Sequence, residues 1–136
     1  MYPVNLFVYG TLQRAGYLYE LIYPAVINVQ PATLNNYALH KNTFGDYPLV
    51  LKDLNRKVKG ELFSVDANHP RFIEVMMMEI KAGYSLQLLE LRTPHGLLIN
   101  ALVFVGDSRD AGYLIEDGDW LKHVESRQNR SIRDYS

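Results

Sequence analysis

The chain contains no cysteine, which excludes disulfides, thiolate catalysis and cysteine metal sites and fits a reducing compartment. It also lacks a charge excess. Fourteen Lys and Arg against fifteen Asp and Glu give a net charge of −1, leaving no basic surplus to neutralise a phosphate backbone over a wide face, so nucleic acid is not an expected partner. The start, Met1-Tyr2-Pro3-Val4-Asn5, has no charged segment leading into a signal-type apolar core, and the expected compartment is cytoplasmic. The four histidines, His40, His69, His95 and His123, are widely separated, with no His-x-x-x-His pair or acidic cluster, so no metal is expected. Thr11, Ser64 and Ser85 lack a Gly-x-Ser-x-Gly nucleophile elbow.

With 136 residues, 48% hydrophobic and 21% charged, the composition is that of one soluble globular domain, with neither disorder nor a membrane span favoured. Residues 1–125 carry the apolar patterning and 126–136 form a polar tail, either frayed or ordered only by contacts. No repeat or linker interrupts them, and a monomer is the default for this size and charge.

β patterns dominate. Val4 to Tyr9 reads as a first strand and Gly16 to Tyr23 as a short helix ended by Pro24. Ala32 to His40 reads as a strand with a bulge or bend at Asn35-Asn36. Phe44 to Pro48 is a turn-rich loop entering Leu49-Val50-Leu51. A polar connection, Lys52 to Arg56, leads to the strand Val58 to Val65, whose Gly60 weakens it unless another backbone or a ligand must come close. Asn68 or His69 caps a helix with Pro70 in its first turn and Phe72, Ile73, Met76, Met77 and Ile80 on an apolar stripe, ending near Gly83. Leu86 to Leu91 and Leu97 to Val105 flank the linker Thr93 to Gly96 and form an antiparallel pair. Asp117-Gly118-Asp119 turns the chain into a final segment anchored by Trp120. The Met76-Met77-Met78 run suits core filling.

Two features carry chemistry. Leu6 to Leu12 is an apolar strand stopping at Gly10-Thr11, where successive N–H groups can form a shallow concavity for a carboxylate or amide oxygen, although for the heptad alone an ordinary strand end with a turn glycine is the preferred reading. Glu79 lies seven residues after Phe72 and three after Met76, near the apolar face of its helix. Burial and the negative helix end would both raise its pKa into an acid/base range; a glutamate rotated into water beside Lys81 is the alternative. Glu74, three residues from Arg71, reads as half of a surface pair of small weight.

Tyr9-Gly10-Thr11-Leu12, Asp46-Tyr47-Pro48, Val58-Lys59-Gly60-Glu61-Leu62-Phe63, Gly83-Tyr84, the strand Ala101 to Val105 and Gly118-Asp119-Trp120 together resemble, in order and spacing over residues 4 to 123, the γ-glutamylcyclotransferase-like family with its AIG2-like and γ-glutamylamine cyclotransferase branches. The resemblance implies an α+β fold: a small mixed or antiparallel β-barrel with short flanking helices and a pocket at one end. It implies release of 5-oxoproline and a free amine from a γ-glutamyl amine or peptide by intramolecular aminolysis. Glu79 falls at the catalytic glutamate, Tyr9, Gly10, Thr11 and Leu12 at the substrate-holding turn, and Tyr84 at a residue lining the pocket. No cofactor is implied. The chain departs from the family pattern at Met76-Met77-Met78, where Leu-Asp is common, and at Leu86, where an arginine is common. A non-catalytic small-molecule binding module on the same fold, or an amidohydrolase, stays open as an alternative.

Overall fold

Alternation along β1 (Pro3–Val8) decides how the molecule is layered. Successive side chains of a strand point to opposite faces, and here both faces are apolar. Phe7, with Tyr9 just beyond the strand, enters one buried cluster, while Leu6 and Val8 enter another. β5 (Leu98–Val105) repeats the division, with Ala101, Val103 and Val105 in the first cluster and Phe104 in the second. A strand covered on both faces reads as a continuous hydrophobic run, as Leu6-Phe7-Val8-Tyr9 does.

The computed structural model describes the backbone of residues 2–135 and side chains through residue 128. β1 pairs antiparallel with β3 (Pro48–Asp66) and parallel with β5. β5 pairs antiparallel with β4 (Ser85–Arg92), and β4 touches β2 (Val26–Asn42) at Thr33 and Arg92. The long β2–β3 ladder closes the ring, giving a five-stranded mixed barrel, and β6 (Ala111–Ile115) adds to the far half of β2. Closure removes the sheet edges that an open sheet would leave exposed. The first cluster fills the barrel; the second lies between its outer wall and the helices α1 (Tyr19–Ile22) and α2 (Pro70–Lys81).

Gly60 sits where the β3 backbone meets β1. A Cβ there would collide with the Val8 carbonyl oxygen and come within 2.7 Å of the Phe7 ring, so the mid-strand glycine answers a close backbone approach. The bend expected at Asn35-Asn36 is present: Asn36 has φ 66°, a conformation asparagine tolerates, and the β2–β3 register shifts between Asn35 and Tyr37. Lys52 to Arg56 does not form the separate connection expected. β3 continues through it, with the partner of β2 jumping from Lys57 to Lys52, so the polar residues bulge from one strand.

Three further expectations are corrected. The helix expected from Gly16 to Tyr23 contracts to α1, because the chain first folds back so that the Leu18 N–H donates to the Thr11 carbonyl at 3.0 Å. Pro24 then sits inside a short 3-10 turn, Tyr23–Ala25. The buried stripe of α2 is Phe72, Val75 and Met76, while Ile73, Met77 and Ile80 are 49%, 61% and 55% exposed. Residues 75–78 are apolar on every side of the helix, so hydrophobicity alone leaves its rotational phase open. His69 caps it, its Nδ1 accepting the Arg71 N–H at 3.1 Å, and Phe72, Val75 and Met76 hold it down with roughly 1.5–3 kcal/mol of burial each.

The segment 126–136, expected to be frayed or ordered only by contacts, carries most of the last helix. α3 (Trp120–Tyr135) runs through it, with Ser136 outside the described residues. Arg127 donates through Nη2 to Asp46 Oδ1 at 2.7 Å and lies over the buried Trp120 ring. Among the described residues, no helix is long and apolar enough to cross a membrane.

Candidate active site

β1 and β5 end where β3 and β4 begin, so Val8, Phe104, Pro48 and Tyr84 converge at one end of the barrel, on its outer wall beneath the last turn of α2. A cavity of about 230 Å³ opens there. Tyr9, Gly10, Thr11 and Leu12 form one side, Tyr47 and Pro48 another, and Met78, Glu79 and Ala82 of the α2 end a third. All six residues singled out from sequence border this one space: Glu79, Tyr9, Gly10, Thr11, Leu12 and Tyr84.

Local packing fixes the walls. Gly10 abuts Pro48, and a Cβ on Gly10 would lie 2.8 Å from the Pro48 ring carbons, so the first turn and the Tyr47-Pro48 loop touch through a missing side chain. Gly16 lies tighter still, since a Cβ there would collide with the Thr11 carbonyl. The Gln13 N–H and Nε2 both donate to the Gly10 carbonyl, at 3.2 and 3.3 Å. These bonds use carbonyls of the turn. Its amide N–H groups at Gly10, Thr11 and Leu12 donate to no acceptor among the described residues, and neither does the Thr11 hydroxyl, although all three residues are buried.

The two tyrosines are already committed as donors. Tyr9 Oη donates to the Phe104 carbonyl at 2.6 Å and Tyr84 Oη to the Pro48 carbonyl at 2.6 Å. Burial pushes both phenols above their ordinary range, which keeps them protonated as donors. Asn42, itself buried, braces the adjacent loop: its N–H donates to the Tyr47 carbonyl, its Oδ1 accepts the Phe44 N–H, and its Nδ2 donates to Tyr84 Oη at 3.5 Å.

Glu79 is the one carboxyl in the cavity lining. Its half-buried position penalises the ionised form and raises its pKa from 4.5 to about 7. Its backbone carbonyl accepts the Tyr84 N–H at 3.2 Å, which ties the α2 end to the start of β4. A carboxyl of this kind is divided between acid and base forms near neutrality and can take or give a proton.

The family profile described as gamma-glutamyl cyclotransferase, AIG2-like, matches residues 6–122. The chain belongs to that family. Solved structures share the fold of this gamma-glutamyl cyclotransferase relative. The uncharacterized protein PH0828 from Pyrococcus horikoshii is 26% identical with a TM-score of 0.69, covering 93% of this chain and 97% of its own. An AIG2-like protein from Mus musculus is 16% identical with a TM-score of 0.68, covering 88% and 89%. A gamma-glutamyl cyclotransferase is 16% identical with a TM-score of 0.63, covering 77% and 67%. No curated protein matches at the level of sequence.

Sequence inspection alone did not single out Tyr17, Leu18, Met78, Ala82 and Phe104 as lining residues of this AIG2-like cavity. Phe104 carries a usable signal: it has the opposite strand parity from Val103 and Val105 and so faces the outer wall. Tyr17 carries none, because a folded-back loop delivers it. The histidines stay apart. His40 Nδ1 lies 3.1 Å from the Gly112 carbonyl and His123 Nε2 2.9 Å from Tyr113 Oη. Among the described residues, no three His, Asp or Glu side chains gather as a metal-binding set.

Proposed function

We propose that this protein converts a γ-glutamyl amide into 5-oxoproline and a free amine, with Glu79 as the group that moves protons. The observation that carries the proposal is a carboxyl raised to about 7 in the same cavity as three unengaged backbone amides at Gly10 to Leu12. The α-amine and the γ-carbonyl belong to one molecule, so tethering already supplies the approach and the site has to supply proton transfer and charge stabilisation.

In the proposed sequence, ionised Glu79 takes a proton from the substrate α-ammonium. The freed amine attacks the γ-carbonyl carbon, forming the ring C–N bond and placing negative charge on the former carbonyl oxygen. Turn amides are suited to hold that oxygen or the substrate α-carboxylate without reorganising. Protonated Glu79 then delivers a proton to the departing nitrogen as the original C–N bond breaks. Glu79, ionised again by that transfer, takes the second proton from the ring nitrogen, which keeps one hydrogen, and passes it to the released amine, which leaves as the ammonium.

The test is 5-oxoproline release from a panel of γ-glutamyl amines and dipeptides, with Glu79→Gln run beside the native protein. Release by the native chain alone, with kcat/KM rising through about pH 7 as Glu79 ionises, is the expected result. Glutamate in place of 5-oxoproline would identify an amidohydrolase. One observation favours a second reading, a binding protein on this fold: Leu86 and Met76 to Met78 stand where the family commonly carries an arginine and an aspartate, and Leu86 is packed against the outer-wall cluster. Silence across the panel, with the same compounds raising Tm, would establish that reading.

A further inference from the structure

The barrel does not use all of the apolar surface that α2 presents. At about 100° of rotation per residue, Ile73, Met77 and Ile80 fall within about 60° of one another round the helix. They form a stripe on the flank beside the buried Phe72 and Met76, and each keeps about half or more of its surface in water. Single exposed apolar residues are ordinary, whereas a continuous stripe marks a surface that another molecule covers. Met78 and Ala82, which line the cavity, lie on the far side of the helix. A molecule seated on the stripe therefore leaves the cavity side of α2 free.

The charges beside the stripe say which molecule fits. Glu74 and Lys81 are two turns apart and share the solvent edge of the stripe, one toward each end. Neither is fully engaged within the chain. The contact of Glu74 with Arg71 is 3.8 Å long and exposed, and Arg71 also reaches the Leu21 carbonyl; Lys81 forms no ion pair among the described residues. A two-fold axis through the middle of the stripe, perpendicular to the helix, exchanges its two ends. Ile73 of one copy then meets Ile80 of the second across the paired Met77 side chains. On the solvent edge the same operation sets Glu74 of each copy against Lys81 of the other, so the stripe and its charges are complementary to themselves. A parallel arrangement would set Glu74 against Glu74 and Lys81 against Lys81. The net charge of −1 leaves little long-range repulsion between copies.

We propose that this face of α2 binds a second copy of the chain, the two helices packing antiparallel about a two-fold axis near Met77. The proposal is independent of the catalytic reading, and it replaces the monomer expected from size and charge. Three apolar side chains from each copy make a small interface, so the dimer is reversible and concentration-dependent rather than obligate.

Sedimentation equilibrium of the native full-length protein, over a concentration series from micromolar to submillimolar, tests this. A monomer–dimer equilibrium is expected, abolished by Met77→Lys with Tm kept, because Met77 is exposed within one chain. Glu74→Lys and Lys81→Glu should each raise the dimer Kd by at least about tenfold, since each turns two attractions into two repulsions. The double variant Glu74→Lys, Lys81→Glu should return Kd to within about threefold of native. A folded protein that stays monomeric throughout would leave the stripe to a different partner and overturn the proposal. Assembly beyond a dimer, a dimer indifferent to Met77→Lys, or a double variant no tighter than the single ones would overturn it as well.

Discussion

Replacing Glu79 by glutamine should abolish turnover and, above neutrality, make the protein more stable. The folded carboxyl has its pKa raised from 4.5 to about 7 by burial, a difference that corresponds to roughly 3 kcal/mol. The sign follows from proton counting. Below about pH 4.5 both states hold the proton and the full stability is present; between the two values the folded state keeps a proton that the unfolded chain has released, so stability falls as pH rises, by up to about 1.4 kcal/mol per pH unit. The loss is complete once pH has passed through the folded value, near about pH 8. Glutamine keeps the shape of the side chain and carries none of this dependence. Urea unfolding of both proteins across that range, taken as a difference, cancels other titrating groups such as Asp66 and Asp107, whose carboxyls are held below their ordinary range by hydrogen bonds in both chains. The difference should move by about 3 kcal/mol in favour of the variant between about pH 4 and about pH 8. Parallel stability curves for the two proteins would refute the burial argument, and with it the premise that Glu79 is poised for proton transfer.

Tyr84→Phe removes the hydroxyl that donates to Pro48 and accepts from Asn42, leaving buried polar partners unpaired; a loss of about 1–3 kcal/mol in denaturant midpoint analysis is expected. Gly60→Ala drives a methyl into the Val8 carbonyl and the Phe7 ring, and should cost at least about 1–3 kcal/mol, visible as a drop in Tm; an unchanged Tm would show that the β1–β3 contact has slack. Glu74→Ala is the contrasting case. Its pair with Arg71 is 3.8 Å long and largely exposed, so a change within about 0.5 kcal/mol and unaltered catalysis are expected.

Much of the wall-building was legible because it depends on local chemistry. The Asn35-Asn36 bend, the His69 cap, the hairpin around Thr93 to Gly96 and the close approach at Gly60 each follow from a residue type with restricted or unusual backbone behaviour. The cavity residues taken from ordered motifs converge for a topological reason: the motifs sit at the ends of β1 and β5 and the beginnings of β3 and β4, and barrel closure brings those ends together. What was not legible depended on competition between partners. The face of α2 could not be phased from its own residues, since the central run Val75 to Met78 is apolar on every side and the barrel wall decides which are covered. Lys52 to Arg56 reads as a loop by composition, yet its flanks are both held by β2, so the strand continues and bulges. β6 was missed because its five residues are too few for alternation to stand out, and β2 supplies the pairing that makes them a strand.

The parallel pairing of β1 with β5 has a consequence in time. Phe7 stands beside Val103, so the two walls under the cavity come from opposite ends of the sequence and cannot meet until almost all of the domain exists. Contacts of such high sequence separation carry a large loop-closure penalty and form slowly. During synthesis the first strand can therefore pair only along its β3 edge until β5 has been made, and the cavity is incomplete until then. Any condition that slows completion of the chain lengthens the period in which Leu6 to Tyr9 is open to misassociation.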